Sequence, residues 1–397
     1  MSASGDFSAR PGSGLPINGL PSVVVAGHLC LDIFPDLNPL APSDLPALCR
    51  PGRLQQIGPV TFSTGGSVAN TGLALHRLGI PVRLMGKVGA DTLGRVVLEI
   101  IRAHRADLAD GLFLDAASTT SYSLILSVPG VDRIFWHHPG ANDTFCADDI
   151  DYAAVAEAAI FHLGYPPLMR RLFSRDGAEM AHLFRRVQES GVITTLDMAL
   201  PDPTSPGGQA NWPAIYRAVL PHVDIFLPSL EELLFTLDRP LYQQLLAAGA
   251  GDLLSQATPE LLSDMGARLL ALGVKMVVLK LGARGLYLHT ASSSALSGLA
   301  RPGWLNPQTW GDVGLWQPCF QVQVVGTTGA GDATIAGFLS GLLRGLSPDE
   351  TVTAALAVGA CNVEAHDALS GLRSWEETLA RISAGWPRLQ AGQGVVG

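Results

Sequence analysis

The chain is short of cysteine, of charge and of long apolar runs, and each scarcity excludes something. Its five cysteines, Cys30, Cys49, Cys146, Cys319 and Cys361, are odd in number and widely spread, with no Cys-x-x-Cys pair. A disulfide framework or a zinc site has no support, and a reducing compartment fits better. Charged residues make up only 15%, against about 25% in an average globular domain. No run of Lys and Arg offsets the formal net charge of −9. Binding to nucleic acid, which needs basic surface to displace phosphate counterions, is therefore not expected. No stretch of about 18 uninterrupted apolar residues occurs, so no helical membrane span is expected. Met1 to Leu20 is small, polar and Gly/Pro-rich. It lacks the basic and apolar regions of a secretory signal. A flexible tail over 1–20 and a cytoplasmic protein are the expectation.

What the chain has is 47% hydrophobic residues and 44 glycines in 397 positions, enough for a large core with many tight turns. Ser22-Val-Val-Val-Ala-Gly27 is an apolar run ending in glycine, as a buried strand would be. Residues 35–60 are proline-rich and predict irregular structure with edge strands. A helix is predicted from Gly65 through Leu78, a strand over Pro81–Gly86 and a helix over Leu93–Arg105. Ser121–Val128 and Arg133–His137, around Pro129-Gly130, predict a hairpin. From about Asp148 onward, apolar runs (Ala159–Leu163, Val192–Asp197, Ile225–Leu227, Met276–Leu281, Val322–Val325) alternate with helical patterns (Met180–Ser190, Leu261–Leu272, Asp332–Arg344). Such alternation implies a mostly parallel sheet covered on both faces, a doubly wound α/β fold. Residues 290–317, rich in Ser, Gly and Trp without periodicity, predict a long loop or insertion.

One segment carries chemistry: Val324-Val-Gly-Thr-Thr-Gly-Ala-Gly-Asp332, followed by the small-residue helix Ala333-Thr-Ile-Ala-Gly-Phe-Leu-Ser-Gly-Leu-Leu343. Glycines at 329 and 331 let the backbone approach a ligand closely. The helix start offers unpaired N–H groups and partial positive charge to a phosphate, with the Asp332 carboxylate beside it. Taken singly, an aspartate at a helix start is usually a cap and a glycine-rich turn usually just a turn. The whole run is far more specific. It resembles the C-terminal signature of the ribokinase-like (PfkB) carbohydrate kinases. Gly65-Gly-Ser-Val-Ala-Asn70, about 260 residues earlier, resembles that family's N-terminal signature.

The resemblance implies an ATP-dependent kinase acting on a hydroxyl of a small sugar-like substrate. It implies Asp332 as general base, with the N–H groups of Gly329, Ala330 and Gly331 as the anion hole. Lys280-Leu-Gly-Ala-Arg-Gly285 is similar to the nucleotide loop, which puts Lys280, Gly282, Gly285 and Thr327 on the nucleotide. Asp32, Gly65, Gly66 and Asn70 fall on the sugar side. Glu232 falls where the family has a glutamate that organises Mg²⁺ through water. The implied architecture is one kinase domain over 21–390 with a small β lid from about 33–62 and 115–138, through which relatives often form a homodimer.

Other residues carry less. His137 and His138 lie on the hairpin and read first as ordinary edge-strand residues, His162 as a satisfied core histidine. Asp197 ends a strand where parallel sheets bind ligands. Asp367–Gly371 aligns with a loop that closes over ATP in relatives.

Four positions depart from ribokinase itself. Ser67 stands at a substrate-binding lysine and Gly164 at a ribose-binding glutamate, which puts ribose in doubt. Ser229 stands at the asparagine preceding the metal-site glutamate. Gly326 stands at an aspartate that ligates K⁺ in potassium-activated relatives, so little K⁺ activation is expected. A nucleoside kinase of the same fold and a non-catalytic sugar- or nucleotide-binding regulator remain as alternatives, the intact Asp332 arguing against the latter. A nicotinamide dehydrogenase is set aside because Gly27-His-Leu-Cys-Leu-Asp32 has no Gly-x-Gly-x-x-Gly.

Overall fold

The computed structural model describes residues 19–37, 41, 43, 50–52, 54–128, 134–299, 301 and 304–390. Most of the N-terminal tail, Cys49 and the Pro129-Gly130 turn lie outside them. In chain order the strands are β1 (Val23–Gly27), β2 (Cys30–Pro35), β3 (Val60–Gly65), β4 (Val82–Met85), β5 (Lys87–Gly89), β6 (Phe113–Asp115) and β7 (Tyr122–Leu126). There follow β8 (Ile134–His138), β9 (Ile160–Gly164), β10 (Ile193–Leu196), β11 (Ile225–Phe226), β12 (Met276–Lys280), β13 (Leu286–Thr290) and β14 (Gly314–Gln317).

The main sheet runs β14-β13-β12-β11-β10-β9-β1-β4. Its six strands from β12 to β4 are parallel, while β13 and β14 continue the edge antiparallel. β1 and β9 are buried along their whole length, which is why they read as continuous apolar runs. Alternate residues face opposite layers. Val23 and Val25 pack with the helices Ser67–Arg77, Thr92–His104, Ala330–Leu343 and Pro348–Asn362. Val24 and Ala26 pack with Arg170–Glu189, Trp212–Val219, Leu230–Leu237 and Pro259–Ala271. The fold is a doubly wound, mostly parallel α/β sheet with helices on both faces. No helix among the described residues is long and apolar enough to cross a membrane.

Strand order reverses between β1 and β9. Beyond β1 the chain goes to β4 on one side and later returns to β9 on the other. The carboxyl ends of strands at such a switch splay their connections apart and leave a crevice. Over that end stands a second sheet, β3-β2-β7-β8, whose β2 leaves the first sheet almost directly after β1.

Two expected elements come out differently. The run Val322–Val325 is not a strand: it joins no sheet, and Val324 and Val325 are about two-fifths exposed. Val325 and Gly326 N–H both bond to the Val363 carbonyl, at 2.8 and 3.3 Å. Residues 290–317 are not simply a loop, since they carry the helical turns Ser297–Leu299 and Pro307–Trp310 and end in the edge strand β14. Leu296, Trp304, Leu305 and Trp310 are each buried. They are set in short turns and a single-turn helix, so their spacing has no period to detect. The sequence reading also omitted Pro348–Asn362 and Trp375–Ser383, although Ser347…Glu350 and Ser374…Glu377 form capping boxes that announce both.

The helix carrying the Gly-Ala-Gly-Asp run is held by Phe338, fully buried and edge-on to Trp310 at 6.1 Å between ring centroids. Phe338→Ala should lower the free energy of unfolding by about 3–5 kcal/mol, measured by urea denaturation. A loss below about 1 kcal/mol would show that this contact does not anchor the helix.

Candidate active site

The site begins with a backbone that only glycine suits. Gly329 is the N-cap of Ala330–Leu343 at φ 72°, ψ 4°, and a side chain there would also strike Ala368 of the 367–371 loop. The left-handed residue turns the chain sharply into the helix. The first-turn N–H groups are thereby presented outward. Ala330 N–H leans back to the Thr327 carbonyl at 3.2 Å. Asp367 accepts from Leu369 and Ser370 N–H at 2.8 Å, capping its own loop.

Asp332 lies in the first turn of that helix, 2% exposed. Its Oδ2 accepts from the Asn70 amide at 3.1 Å and the Tyr165 hydroxyl at 2.6 Å, and its Oδ1 accepts from the Thr71 hydroxyl at 2.8 Å. A carboxylate offers about four acceptor sites, so these three donors leave one, on Oδ1. Tyr165 follows β9 with φ 64°, ψ 39°, a conformation costing a non-glycine residue of order 1–3 kcal/mol. Burial, then the Asp332 and Asp197 carboxylates, push its hydroxyl well above its ordinary pKa and keep it a neutral donor.

Two cavities meet at Tyr165 and Gly329. The first, about 520 Å³, is lined by Asp332, Ala330, Gly331, Thr327, Lys280, Gly282, Gly285 and Glu232. Lys280 at the end of β12 pairs with Asp197 at 2.6 Å. Burial works against its charge, but the Asp197 and Glu232 carboxylates outweigh that and hold it above its ordinary pKa. Asp197 itself is wholly buried behind Lys280, not on the wall. Glu232 closes a capping box, its carboxylate accepting from Ser229 N–H at 2.7 Å.

The second cavity, about 750 Å³, is lined by Asp32, Gly66, Asn70, His28, Ser123 and His137, among others. Asp32 and Ser123 are cross-strand neighbours on β2 and β7, as are Ser123 and His137 on β7 and β8, so one face of the second sheet supplies all three. Burial raises the Asp32 carboxyl to about 6, against hydrogen bonds from Cys30 and Ser123 that lower it. Gly65 stands behind Asp32 and does not line the cavity, since any side chain there would collide with the Asp32 carboxylate. His137 Nδ1 meets the Ser123 hydroxyl at 3.0 Å, and its Nε2 lies 3.4 Å from His28 Nε2. Burial drives both imidazoles down, His137 to about 4, so the pair stays neutral. His138 points to the other face and meets Thr119 at 2.9 Å. His162 is inside the sheet, bonded to Thr195 at 2.8 Å.

Sequence reasoning did not name His28, Thr71, Tyr165 or Ser123. His28 and Tyr165 directly follow β1 and β9, so their place at the carboxyl ends of adjacent strands was a usable signal. Ser67 and Gly164, read as substrate positions, line neither cavity. They pack on one another: a side chain at Gly164 would strike Ser67.

The profile of the pfkB family carbohydrate kinases matches residues 22–375. The chain is 25% identical over 368 residues to a probable chloroplastic fructokinase-6 of Arabidopsis thaliana, spanning 90% of this chain and 81% of that one. It is 26% identical over 334 residues to the 2-dehydro-3-deoxygluconokinase of Bacillus subtilis, spanning 82% and 88%. In fold it is similar to the Arabidopsis thaliana ribokinase solved with ribose and ATP, at a TM-score of 0.66 and 21% identity over 91% of this chain and 98% of that one. The chain belongs to the pfkB family of carbohydrate kinases and has a ribokinase-like fold.

Proposed function

We propose that the protein transfers the γ-phosphoryl group of ATP to a hydroxyl of a small sugar held between Asp32 and Asp332. The observation that carries this reading is the open acceptor site on Asp332 Oδ1, at a helix N-terminus where the two cavities meet. Asp332 takes the proton of the attacking hydroxyl as the new P–O bond forms. Asn70, Thr71 and Tyr165 hold the carboxylate in one orientation meanwhile. The N–H groups at Gly329–Gly331, with Lys280, stabilise charge on the transferred group, since phosphoryl transfer is catalysed mainly by positioning and electrostatics.

Glu232 suits a Mg²⁺ site only through water. Part of its carboxylate serves the Ser229 cap, and no group of three or more acidic, His or Cys side chains among the described residues is placed to hold a metal. Mg²⁺ arriving with ATP would screen phosphate charge and keep most of its waters.

The sugar side is the second cavity, with Asp32, Asn70 and Gly66 as its wall and the sheet β3-β2-β7-β8 as its lid. The outer face of that sheet leaves Val60, Phe62, Ile134 and Trp136 between 37% and 53% exposed. Covering this apolar face by a second copy supports a homodimer. The four cysteines described are free, in keeping with a reducing cytoplasm.

Asp332→Asn should keep the fold and ADP affinity while losing about 10²–10⁴ in turnover on the best sugar found. Retention of more than about a third of wild-type turnover would remove the base from Asp332.

Asp32 accepts sugar hydroxyls when ionised. With a carboxyl at about 6, its ionised share falls about tenfold from pH 7 to pH 5. KM for the sugar should rise by roughly that factor over the same range, and Asp32→Asn should abolish the dependence. The linked effect on stability has the opposite sense. A carboxyl raised above its unfolded value favours folding most at acid pH, and that contribution is lost as pH rises through about 6. A flat KM profile in the wild type would take Asp32 off the sugar.

At Gly326 a side chain would meet the Ala365 carbonyl at 2.8 Å and His366 at 3.0 Å. The position offers a monovalent cation backbone oxygens without a carboxylate's charge. Turnover should change by less than about twofold between K⁺, Na⁺ and a bulky organic cation at fixed ionic strength. A saturable rise specific to K⁺ would mean other groups complete the site.

A further inference from the structure

The end of β1 and the edge of the second sheet bring two imidazole rings together. His28 directly follows β1. His137 sits on the edge strand β8, which is exposed from Ile134 to His137 and so can be reached by an ion from solvent. Both rings line the 750 Å³ cavity. Their Nε2 atoms are 3.4 Å apart, with ring centroids at 5.2 Å and planes tilted by 41°.

As a hydrogen bond this contact is poor, since it exceeds the usual range of about 2.7–3.2 Å. Rings meeting head-on at that nitrogen spacing would hold their centroids about 5.7 Å apart, so these two meet at an angle. The spacing matches a different arrangement. Two imidazole nitrogens at about 2.0–2.1 Å from a tetrahedral ion stand about 3.3–3.4 Å apart, with ring centroids about 5.2 Å apart.

The surrounding bonds place the protons to suit. Ser123 is the cross-strand neighbour of His137, and its hydroxyl donates to the Asp32 carboxylate. The Ser123 oxygen is thereby left to accept from His137 Nδ1 at 3.0 Å. That puts the His137 proton on Nδ1 and a lone pair on Nε2. Asp32 and Ser123 thus give His137 the outer-shell support that metal-binding histidines commonly have. His28 Nδ1 is buried without a partner, so no bond there fixes that ring's proton. Carrying the proton on Nδ1 leaves one unpaired donor, which holds the affinity below that of a fully supported pair.

Neighbouring groups of the right chemistry are engaged elsewhere. The Cys30 thiol donates to Asp32 Oδ1 at 3.4 Å, and His138 meets Thr119 on the other face of the sheet. No group of three or more His, Cys, Asp or Glu among the described residues is placed to hold an ion. A site here has two protein ligands, with its other positions left to water.

We propose that His28 and His137 form a two-histidine site for a borderline divalent cation such as Zn²⁺, bound through both Nε2 atoms at the wall of the second cavity. Imidazole suits Zn²⁺, Ni²⁺ and Cu²⁺, whereas Mg²⁺ takes oxygen ligands. The site is therefore separate in place and chemistry from any Mg²⁺ that accompanies ATP. It goes beyond the kinase reading: an ion here stands on the wall that carries Asp32, so Zn²⁺ and a sugar exclude one another where that reading holds.

The test titrates Zn²⁺ into the full chain by calorimetry, without nucleotide or sugar, in a buffer that does not chelate metal. One site is expected that His137→Gln and His28→Gln each weaken by at least about tenfold and Ser123→Ala by about 10–100-fold, the cost of losing an outer-shell partner. His137 lies on an exposed edge, so its variant and the Ser123 variant decide the matter if the buried His28 does not tolerate change. Mg²⁺ at the same concentrations should give no heat that His137→Gln removes. A loss below about tenfold in any folded variant of the three, or no Zn²⁺ binding by the wild type, overturns the proposal. Turnover plays no part in these titrations, so the site and the kinase reading stand or fall separately.

Discussion

The arrangement depends on a single buried carboxylate and its three hydrogen-bond donors. Asp332 is joined by Asn70 and Thr71 from the helix after β3 and by Tyr165 from the turn after β9. Three distant stretches of chain therefore converge on one pair of oxygens. An ionised carboxylate in so buried a place needs such donors, because leaving it without partners costs several kcal/mol. The same bonds fix its orientation, so the requirement of burial and the requirement of function are met by one set of contacts. Tyr165 accepts left-handed backbone strain to contribute, which is the pattern expected where surrounding structure over-determines a functional residue.

Burial sets the charge state in the second cavity as well. His28 and His137 are held neutral and Asp32 is raised toward neutrality, all chiefly by desolvation. The result is a patch of hydroxyl, neutral imidazole and carboxyl groups, on a wall that also carries Asp143, Arg170 and Asp202. Around the first cavity the balance is different: Lys280 is kept cationic by Asp197 and Glu232, beside the helix N-terminus. The two cavities thus differ in their ionisable groups although they share Tyr165 and Gly329.

The second sheet links the two sides mechanically. It leaves the main sheet straight after β1, carries Asp32, Ser123 and His137 on its inner face, and turns Phe62 and Trp136 outward. Apolar side chains on both faces of a small sheet are costly in isolation. One face lines the second cavity, and the other leaves Phe62 and Trp136 about half exposed.

Much of this was legible in the order of residues alone. Continuous apolar runs between helical patterns determined a parallel sheet buried on both faces, because strands covered on each side need no alternation. The Gly-Ala-Gly-Asp332 run and Gly65-Gly…Asn70 marked the two segments that meet at Asp332, because backbone conformations open to glycine and a carboxylate at a helix start leave their mark on local sequence. Other features were decided only in three dimensions. Asn70, Thr71 and Tyr165 are ordinary polar residues until folding brings them to Asp332. Val322–Val325 has the composition of a strand, yet it pairs with no strand, and its Val322 and Val324 line a cavity. Ser67 and Gly164 align with substrate contacts but pack on each other, since a missing side chain at 164 lets the two segments close. Local sequence records the dihedral angles and burial that each residue needs; which polar groups meet across 100 or more residues is set by how the layers stack.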